Sequence, residues 1–218
     1  MLIGGRNQAD HDSRVRRVLD SLAAVGLLKL RLDKCALSVP SVVFLGFRVD
    51  AEGIHPIPEK ICAMRNAPAP QDKTQLLALL GLINFYDRFF ADKAAAFEPL
   101  YRLLDKGAPL GTGPKFIKRL FRQCVRSSLA TRLLTQYDYA RPLILTCDAS
   151  PYGLSAILAH VDPDGTERPI CYASRTLSKA ERNWAHIDKE GGALIFDVVK
   201  FRPYLQGRKF TMTTISPC

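Results

Sequence analysis

The feature that most constrains the fold is a change in the hydrophobic pattern beyond residue 140. Leu143 to Cys147 is almost continuously apolar, which is typical of a strand inside a sheet, and Asp148 follows it directly. Gly153 to Val161 and Pro169 to Ser174 predict two more strands, with a turn at Asp164 and Gly165 between them. The pattern therefore predicts a three-stranded meander that carries a carboxylate at the end of its first strand.

A helix and a fourth strand are predicted to follow the meander. Ser178 and Glu181 have the spacing of a capping box, which indicates the start of a helix. The residues expected to form its core-facing stripe are Trp184, Ile187, Leu194 and Val198. A strand from Lys209 to Thr214 would then lie parallel to the first strand, reached by a right-handed crossover.

The first 140 residues predict a different architecture, in which helices dominate. The predicted elements are a helix from Asn7 to Gly26, strands at Val42–Val49 and Ile54–Ile57, and helices opening at Pro58 and spanning Thr74–Phe90 and Lys93–Leu104. Gly46 inside the first of these strands suggests a bulge or a close backbone approach. The whole chain is thus of the α+β class, and we expect three segments, 1–56, 57–138 and 139–218.

Charge gives the first indication of a partner. Thirty-one Lys and Arg residues against 21 Asp and Glu residues produce a formal net charge of +10. The densest positive stretch contains six basic residues and no acid, and it consists of Lys115, Lys118, Arg119, Arg122, Arg126 and Arg132. Such a stripe can follow the phosphate backbone of a nucleic acid. A solvated helix face explains the same residues equally well, so both interpretations stand.

Two acids predict a metal site. Asp148 ends a buried strand, where an unpaired carboxylate costs on the order of several kcal/mol. Glu190 comes three residues after Ile187 on the predicted helix, so its side chain can point back toward the sheet. Two carboxylates that meet repel each other unless a divalent cation such as Mg²⁺ lies between them. Alternatively, Asp148 caps the turn at Ser150 and Glu190 is exposed; His186 is expected on the helix surface.

The pattern argues against a membrane or secreted protein. The longest uncharged apolar stretch, Thr74 to Tyr86, is shorter than the roughly 18 to 20 residues of a membrane-spanning helix, and the chain opens without signal-peptide features. The six cysteines form no CxxC pair, which favours free thiols in a reducing compartment. We therefore expect an intracellular protein, cytoplasmic or nuclear, with no membrane partner.

Several strings in register resemble the polyprotein of gypsy-class LTR retrotransposons. The strings similar to its RNase H domain are Leu145-Thr146-Cys147-Asp148-Ala149-Ser150, Pro169-Ile170-Cys171-Tyr172-Ala173-Ser174-Arg175, Lys189-Glu190 and Phe201-Arg202-Pro203-Tyr204-Leu205-Gln206-Gly207. Upstream, Val43-Phe44-Leu45-Gly46, Pro58-Glu59-Lys60 and Leu80-Gly81-Leu82-Ile83-Asn84-Phe85-Tyr86 resemble the reverse transcriptase. The resemblance implies a palm remnant over 1–56, a helical thumb and connection over 57–138, and a truncated, mixed-sheet RNase H-like domain over 139–218.

The resemblance also implies an activity, RNA-directed DNA synthesis with hydrolysis of RNA in RNA–DNA hybrids. Asp148 and Glu190 match two of the catalytic carboxylates that hold two Mg²⁺ ions in the family. Where the family has its third aspartate, this sequence has Ile215, which cannot ligate a cation. The polymerase aspartates of the family would precede Met1, and its later nuclease elements would follow Cys218.

We therefore expect a fragment of a reverse transcriptase/RNase H that is catalytically impaired. Its expected partners are an RNA–DNA hybrid or another nucleic acid, and the rest of the polyprotein. The alternatives are a non-catalytic nucleic-acid-binding module and a decayed fragment with no selected role.

Overall fold

The computed structural model describes residues 1–26, 31–68, 70–104, 119 and 133–215. The chain divides into two compact units, Met1–Ala51 and Glu52–Cys218. The first unit contains helix α1 (Gln8–Val25), as predicted. The Asn7 side chain caps this helix by accepting a hydrogen bond from the backbone N–H of Asp10 (2.9 Å), and Gly26 ends it in the left-handed conformation.

The second element of this unit is a β-hairpin, and here the predicted continuous strand over Val42–Val49 is wrong. Strands β1 (Ser41–Phe44) and β2 (Phe47–Asp50) pair antiparallel, with Phe44 opposite Phe47. Leu45 and Gly46 form the connection, with φ angles of 48° and 82°. A two-residue turn with positive φ at both positions matches the twist of its flanking strands, so Gly46 is a turn residue and not a bulge. Leu45 concealed the turn because a leucine seldom adopts positive φ.

The second unit begins with a short strand and three helices. They are β3 (Ile54–Pro56), α2 (Pro58–Asn66), α3 (Lys73–Phe85) and α4 (Lys93–Arg102). Asp72 caps α3 by accepting from the Gln75 N–H (2.7 Å). The buried face of α3 consists of Leu76, Leu79, Leu80 and Ile83. A one-turn 3₁₀ helix, Asp87–Phe89, separates α3 from α4.

The rest of the second unit is built on a mixed four-stranded sheet. Its strands are β4 (Leu143–Ala149), β5 (Gly153–Val161), β6 (Glu167–Thr176) and β7 (Thr211–Thr214), in the order β6-β5-β4-β7. The pairs β4–β5 and β5–β6 are antiparallel, whereas β7 runs parallel to β4. The predicted meander and the predicted parallel fourth strand are both confirmed.

Helix α5 (His186–Leu205) crosses one face of this sheet. Ser178 and Glu181 do exchange the two hydrogen bonds of a capping box, but they open a 3₁₀ turn before α5. The predicted core stripe is wrong for Ile187 (76% exposed), Trp184 (42%) and Val198 (39%), whereas Leu194 packs against the core as predicted. The residues that α5 buries are Ala193, Asp197, Phe201 and Leu205.

Helix α4 covers part of the opposite face of the sheet. The backbone N–H of Ala94 donates to Ser174 Oγ (3.2 Å), and Gly153 lies so close to α4 that an added Cβ would stand 2.6 Å from the Ala94 Cβ. The helical segment and the sheet thus form one packed body within the second unit.

The described cysteines, Cys35, Cys62, Cys147 and Cys171, are free thiols, as predicted. Cys124 and Cys218 lie outside the described residues. None of the helices described here is long and apolar enough to cross a membrane.

Candidate active site

Asp148 is half-buried on the sheet face that α4 covers. Side chains alternate along β4, so the buried Cys147 points toward α5 and Asp148 points away from it. The strand register places Asp148 opposite Ser155, and Ser155 opposite Ser174, which accepts the hydrogen bond from α4. Asp148 therefore belongs to the α4 side of the sheet.

Asp92, the residue before α4, is a second acid on this side. Burial raises the pKa of Asp92, and the negative charge of Asp148 raises it further, while a hydrogen bond from the Ala95 backbone lowers it. The two carboxylates therefore act on each other electrostatically. Sequence reasoning missed Asp92 because it precedes Asp148 by more than fifty residues and lies in the helical segment.

Glu190 lies on the inner side of α5, the helix that covers the other face of the sheet. Its side chain is 12% exposed, so it points inward as predicted, and the exposed His186 lies one turn earlier with its Nε2 3.6 Å from Glu190 Oε1. The charge of Glu190 contributes to a raised pKa of Cys147, whose main cause is burial and whose second cause is Asp197. Glu190 is thus placed near Cys147, and Asp148 near Asp92.

Residue 215 lies next to Asp148. In the parallel pair, Thr214 is opposite Cys147, and the Ile215 N–H donates to the Cys147 carbonyl (3.1 Å). Thr213 and Thr146 share the α4 side, with their hydroxyl oxygens 3.2 Å apart, so alternation puts Ile215 on the same side as Asp148. The position where the resemblance requires a third acid is therefore adjacent to Asp148 and carries an apolar side chain that is 58% exposed.

These residues do not fit a two-metal centre. Two divalent ions about 4 Å apart need several carboxylates around them. Among the described residues, no group of three His, Cys, Asp or Glu side chains converges at Asp148 or Glu190 closely enough to hold an ion. Ile215 offers no ligand at the position where the resemblance requires one.

Asp197 is a buried carboxyl group that sequence reasoning also missed. It is 0% exposed, and neither of its oxygens has a hydrogen-bond partner in the described part of the chain. Burial raises its pKa to about 7, and the nearby Cys147 thiol lowers it only in part. The signal that could have found it is the four-residue spacing of Ala193, Asp197 and Phe201 on one helix face.

The basic stripe falls mostly outside the described residues. Lys115, Lys118, Arg122, Arg126 and Arg132 lie there, and Arg119, which is described, is exposed. The stripe stays a prediction.

The sheet order, the parallel β4–β7 pair and the helix between them define an α+β domain with a mixed sheet. Residues 118–212 match the family model described as the RNase H-like domain found in reverse transcriptase. This match covers β4, β5, β6, α5 and the first two residues of β7, and it agrees with the resemblance drawn from the motifs.

Curated relatives extend the similarity over almost the whole chain. The chain is 30% identical to the retrovirus-related Pol polyprotein from transposon 297 of Drosophila melanogaster, over 98% of this chain and 20% of that protein. It is 32% identical to the retrovirus-related Pol polyprotein from transposon opus of the same species, over 90% of this chain and 20% of that protein. The transposon Tf2-3 polyprotein of Schizosaccharomyces pombe is 26% identical, over 94% of this chain and 15% of that protein.

The chain thus spans a fifth or less of the length of these relatives. The predicted similarity to LTR retrotransposon polyproteins is confirmed, whereas the gypsy class stays a prediction.

Solved structures share the fold. The foamy viral protease-reverse transcriptase dRH in complex with double-stranded DNA has a TM-score of 0.79 at 22% identity, and covers 99% of this chain and 38% of its own. The foamy viral protease-reverse transcriptase in complex with an RNA/DNA hybrid has a TM-score of 0.74 at 23% identity, and the similarity covers 94% of this chain and 28% of that one. At this identity the likeness establishes the α+β architecture.

Proposed function

We propose that this chain is part of a gypsy-class reverse transcriptase/RNase H, that it binds RNA–DNA hybrid, and that it cleaves the RNA strand poorly or not at all. The observation that carries the proposal is the position of Ile215 beside Asp148 on one face of the sheet. The similar Pol polyproteins and the RNase H-like fold support the lineage. The net charge of +10 supports a polyanionic partner.

The chemical argument for impaired cleavage is a shortage of negative charge. In the proposed lineage two Mg²⁺ ions would activate a water molecule and stabilise the leaving oxygen of the RNA strand. Asp148 and Glu190 are the carboxylates that we assign to such a centre. An alkyl side chain at residue 215 cannot replace an anionic ligand, because a hard cation requires oxygen ligands.

A second candidate is a nucleic-acid-binding module that breaks no bond. The apolar side chain of Ile215 beside Asp148 favours it, since the position that would supply a third carboxylate offers no ligand. The two candidates share hybrid binding and differ in residual cleavage.

Cleavage of an end-labelled RNA–DNA hybrid in Mg²⁺ tests the proposal. Wild type, Asp148→Asn and Glu190→Gln are expected to release product at rates within about twofold of one another. Wild-type cleavage faster than both variants by about tenfold or more would show a working centre and would overturn the impairment. Hybrid binding is measured in parallel without Mg²⁺, and a wild-type affinity that ignores salt would contradict the binding function.

A further inference from the structure

Two arginines from separate segments converge on one exposed tyrosine. Arg102 ends α4, Arg182 lies in the 3₁₀ turn before α5, and Tyr152 lies in the turn between β4 and β5. The guanidinium carbon of Arg102 is 5.4 Å from the centre of the Tyr152 ring, and that of Arg182 is 6.0 Å from it. Both cations are within range of a cation–π contact with the same ring.

A buried carboxylate holds the two guanidinium groups in place. Glu98 is 5% exposed, and its Oε1 lies 2.5 Å from Arg102 Nε and 3.3 Å from an Arg182 Nη atom. Arg182 also donates from Nε to the Leu177 carbonyl (3.2 Å). One acid is shared by two cations, so the group keeps a net positive charge.

The outer side of this group faces solvent. The Arg102 side chain is 54% exposed, the Arg182 side chain is 31% exposed, and Tyr152 is 44% exposed. A guanidinium carries five N–H donors in a planar fork, and the contacts with Glu98, the Leu177 carbonyl and the Tyr152 hydroxyl use only some of them. N–H donors of both arginines therefore remain for a ligand. The contacts with Glu98 fix the orientation of these donors before a ligand binds.

The group also stands in a defined place relative to the candidate site. Tyr152 lies in the turn that follows β4, four residues after Asp148, and the neighbouring Gly153 packs against Ala94 at the start of α4. The group therefore lies beside the end of β4 that carries Asp148, so one bound strand would reach both places.

We propose that Arg102, Arg182 and Tyr152 form a phosphate clamp that grips the backbone of a bound nucleic acid. The arginine forks match the geometry of phosphate oxygens, and the tyrosine ring offers an apolar surface to the adjoining sugar or base. The clamp rests on the proposed hybrid-binding function, to which it adds a named contact site. It needs no metal ion, so it would act even where cleavage fails.

The test uses the full chain and a fluorescently labelled RNA–DNA hybrid, with binding followed by anisotropy over a series of salt concentrations. Arg102→Gln and Arg182→Gln are each expected to weaken binding about 3- to 10-fold and to reduce the salt slope by about 1. Arg168→Gln is the matched control, because Arg168 is an exposed arginine paired with Asp162 at the β5–β6 hairpin, and it should leave both quantities unchanged.

Three further variants separate contact from folding. Arg102→Lys and Arg182→Lys keep the charge facing Glu98 but lose the planar fork, so we expect weaker binding with an unchanged salt slope. Tyr152→Phe keeps the ring and should bind as wild type does, whereas Tyr152→Ala should weaken binding. Thermal unfolding of each variant shows that the comparison is made between folded proteins.

The outcomes separate the two proposals. A wild-type protein that fails to bind hybrid overturns both the function and the clamp. A wild type that binds, together with glutamine variants of the same affinity and salt slope, overturns the clamp alone.

Discussion

Cys147 on β4 and Asp197 on α5 lie together in the interior between the sheet and the helix, both with 0% exposure. Burial raises the pKa of Asp197 to about 7, and the charge of Asp197 adds to the raised pKa of Cys147. The folded protein therefore favours the protonated carboxyl group over a wide range of pH. This contact gives the stability of the domain a specific pH dependence.

Asp197→Asn should flatten that dependence. Because the folded pKa of Asp197 is raised from 3.8 to about 7, its contribution is complete below the unfolded pKa and is lost as pH rises toward the folded value. The free energy of unfolding of wild type should therefore fall, relative to Asp197→Asn, by up to roughly 4 kcal/mol across this window. Urea unfolding at a series of pH values measures it, and parallel profiles for the two proteins would contradict the assignment.

His160→Leu should destabilise the sheet at neutral pH. His160 is fully buried, its Nε2 accepts from the Asp138 N–H (2.9 Å), and its Nδ1 lies 3.0 Å from the Pro142 carbonyl, which needs the neutral ring. Loss of both bonds should lower the free energy of unfolding by about 2 kcal/mol or more. His186→Leu is the control, because His186 is exposed on α5 and should cost little.

The same histidine has a pH signature opposite to that of Asp197. Burial lowers the pKa of His160 below 6.5, so its contribution is present above 6.5 and is lost as pH falls toward the folded value. Acid should therefore destabilise wild type more than His160→Leu. An equal loss of unfolding free energy in both proteins below pH 6.5 would contradict this interpretation.

Gly153→Ala and Gly191→Ala should have effects of opposite sign. A Cβ on Gly153 would stand 2.6 Å from the Ala94 Cβ and 2.9 Å from the Arg175 carbonyl oxygen, so β5 or α4 must shift, at a cost of about 1 to 3 kcal/mol. A Cβ on Gly191 would meet nothing within 4 Å, and alanine in a helix interior should stabilise by about 0.5 to 1 kcal/mol. The midpoints of urea unfolding measure both effects. A Gly153→Ala protein as stable as wild type would show that α4 does not pack against Gly153.

Ile215→Asp should create affinity for a divalent cation beside Asp148. The backbone of residue 215 is already paired with β4 and its side chain is exposed, so the substitution adds a carboxylate without burying it. Mn²⁺ binding measured by calorimetry should tighten by about tenfold or more relative to wild type. Ile215→Asn has a similar shape and no charge, and an equal gain in that variant would exclude the carboxylate as the cause.

Much of the fold could be predicted from local pattern. The start and end of α1 and the strands of the meander follow from spacing and end signals within one element. The missing acid at Ile215 is likewise a matter of residue identity, because no folding can turn an alkyl group into a ligand. Such features depend on a few residues that are neighbours in the sequence, so they can be predicted without knowledge of the fold.

The orientation of α5 shows where local pattern fails. The predicted stripe assigned Trp184 and Ile187 to the core and did not include Asp197. In the structure the Trp184 ring lies close to Gly192, and α5 presents Asp197 to the sheet. A helix rotates to fit its neighbours, so its buried face is settled by the sum of packing contacts and not by the hydropathy of one residue.

The sequence by itself determined the α+β order of elements, the acids available to the candidate site and the one that is absent. Tertiary structure decided which residues lie near one another: Asp148 and Asp92, which interact electrostatically on the α4 side, and Arg102 and Arg182, which share Glu98. The members of each pair are far apart along the chain. Their proximity depends on strand register and helix packing, which no local pattern contains.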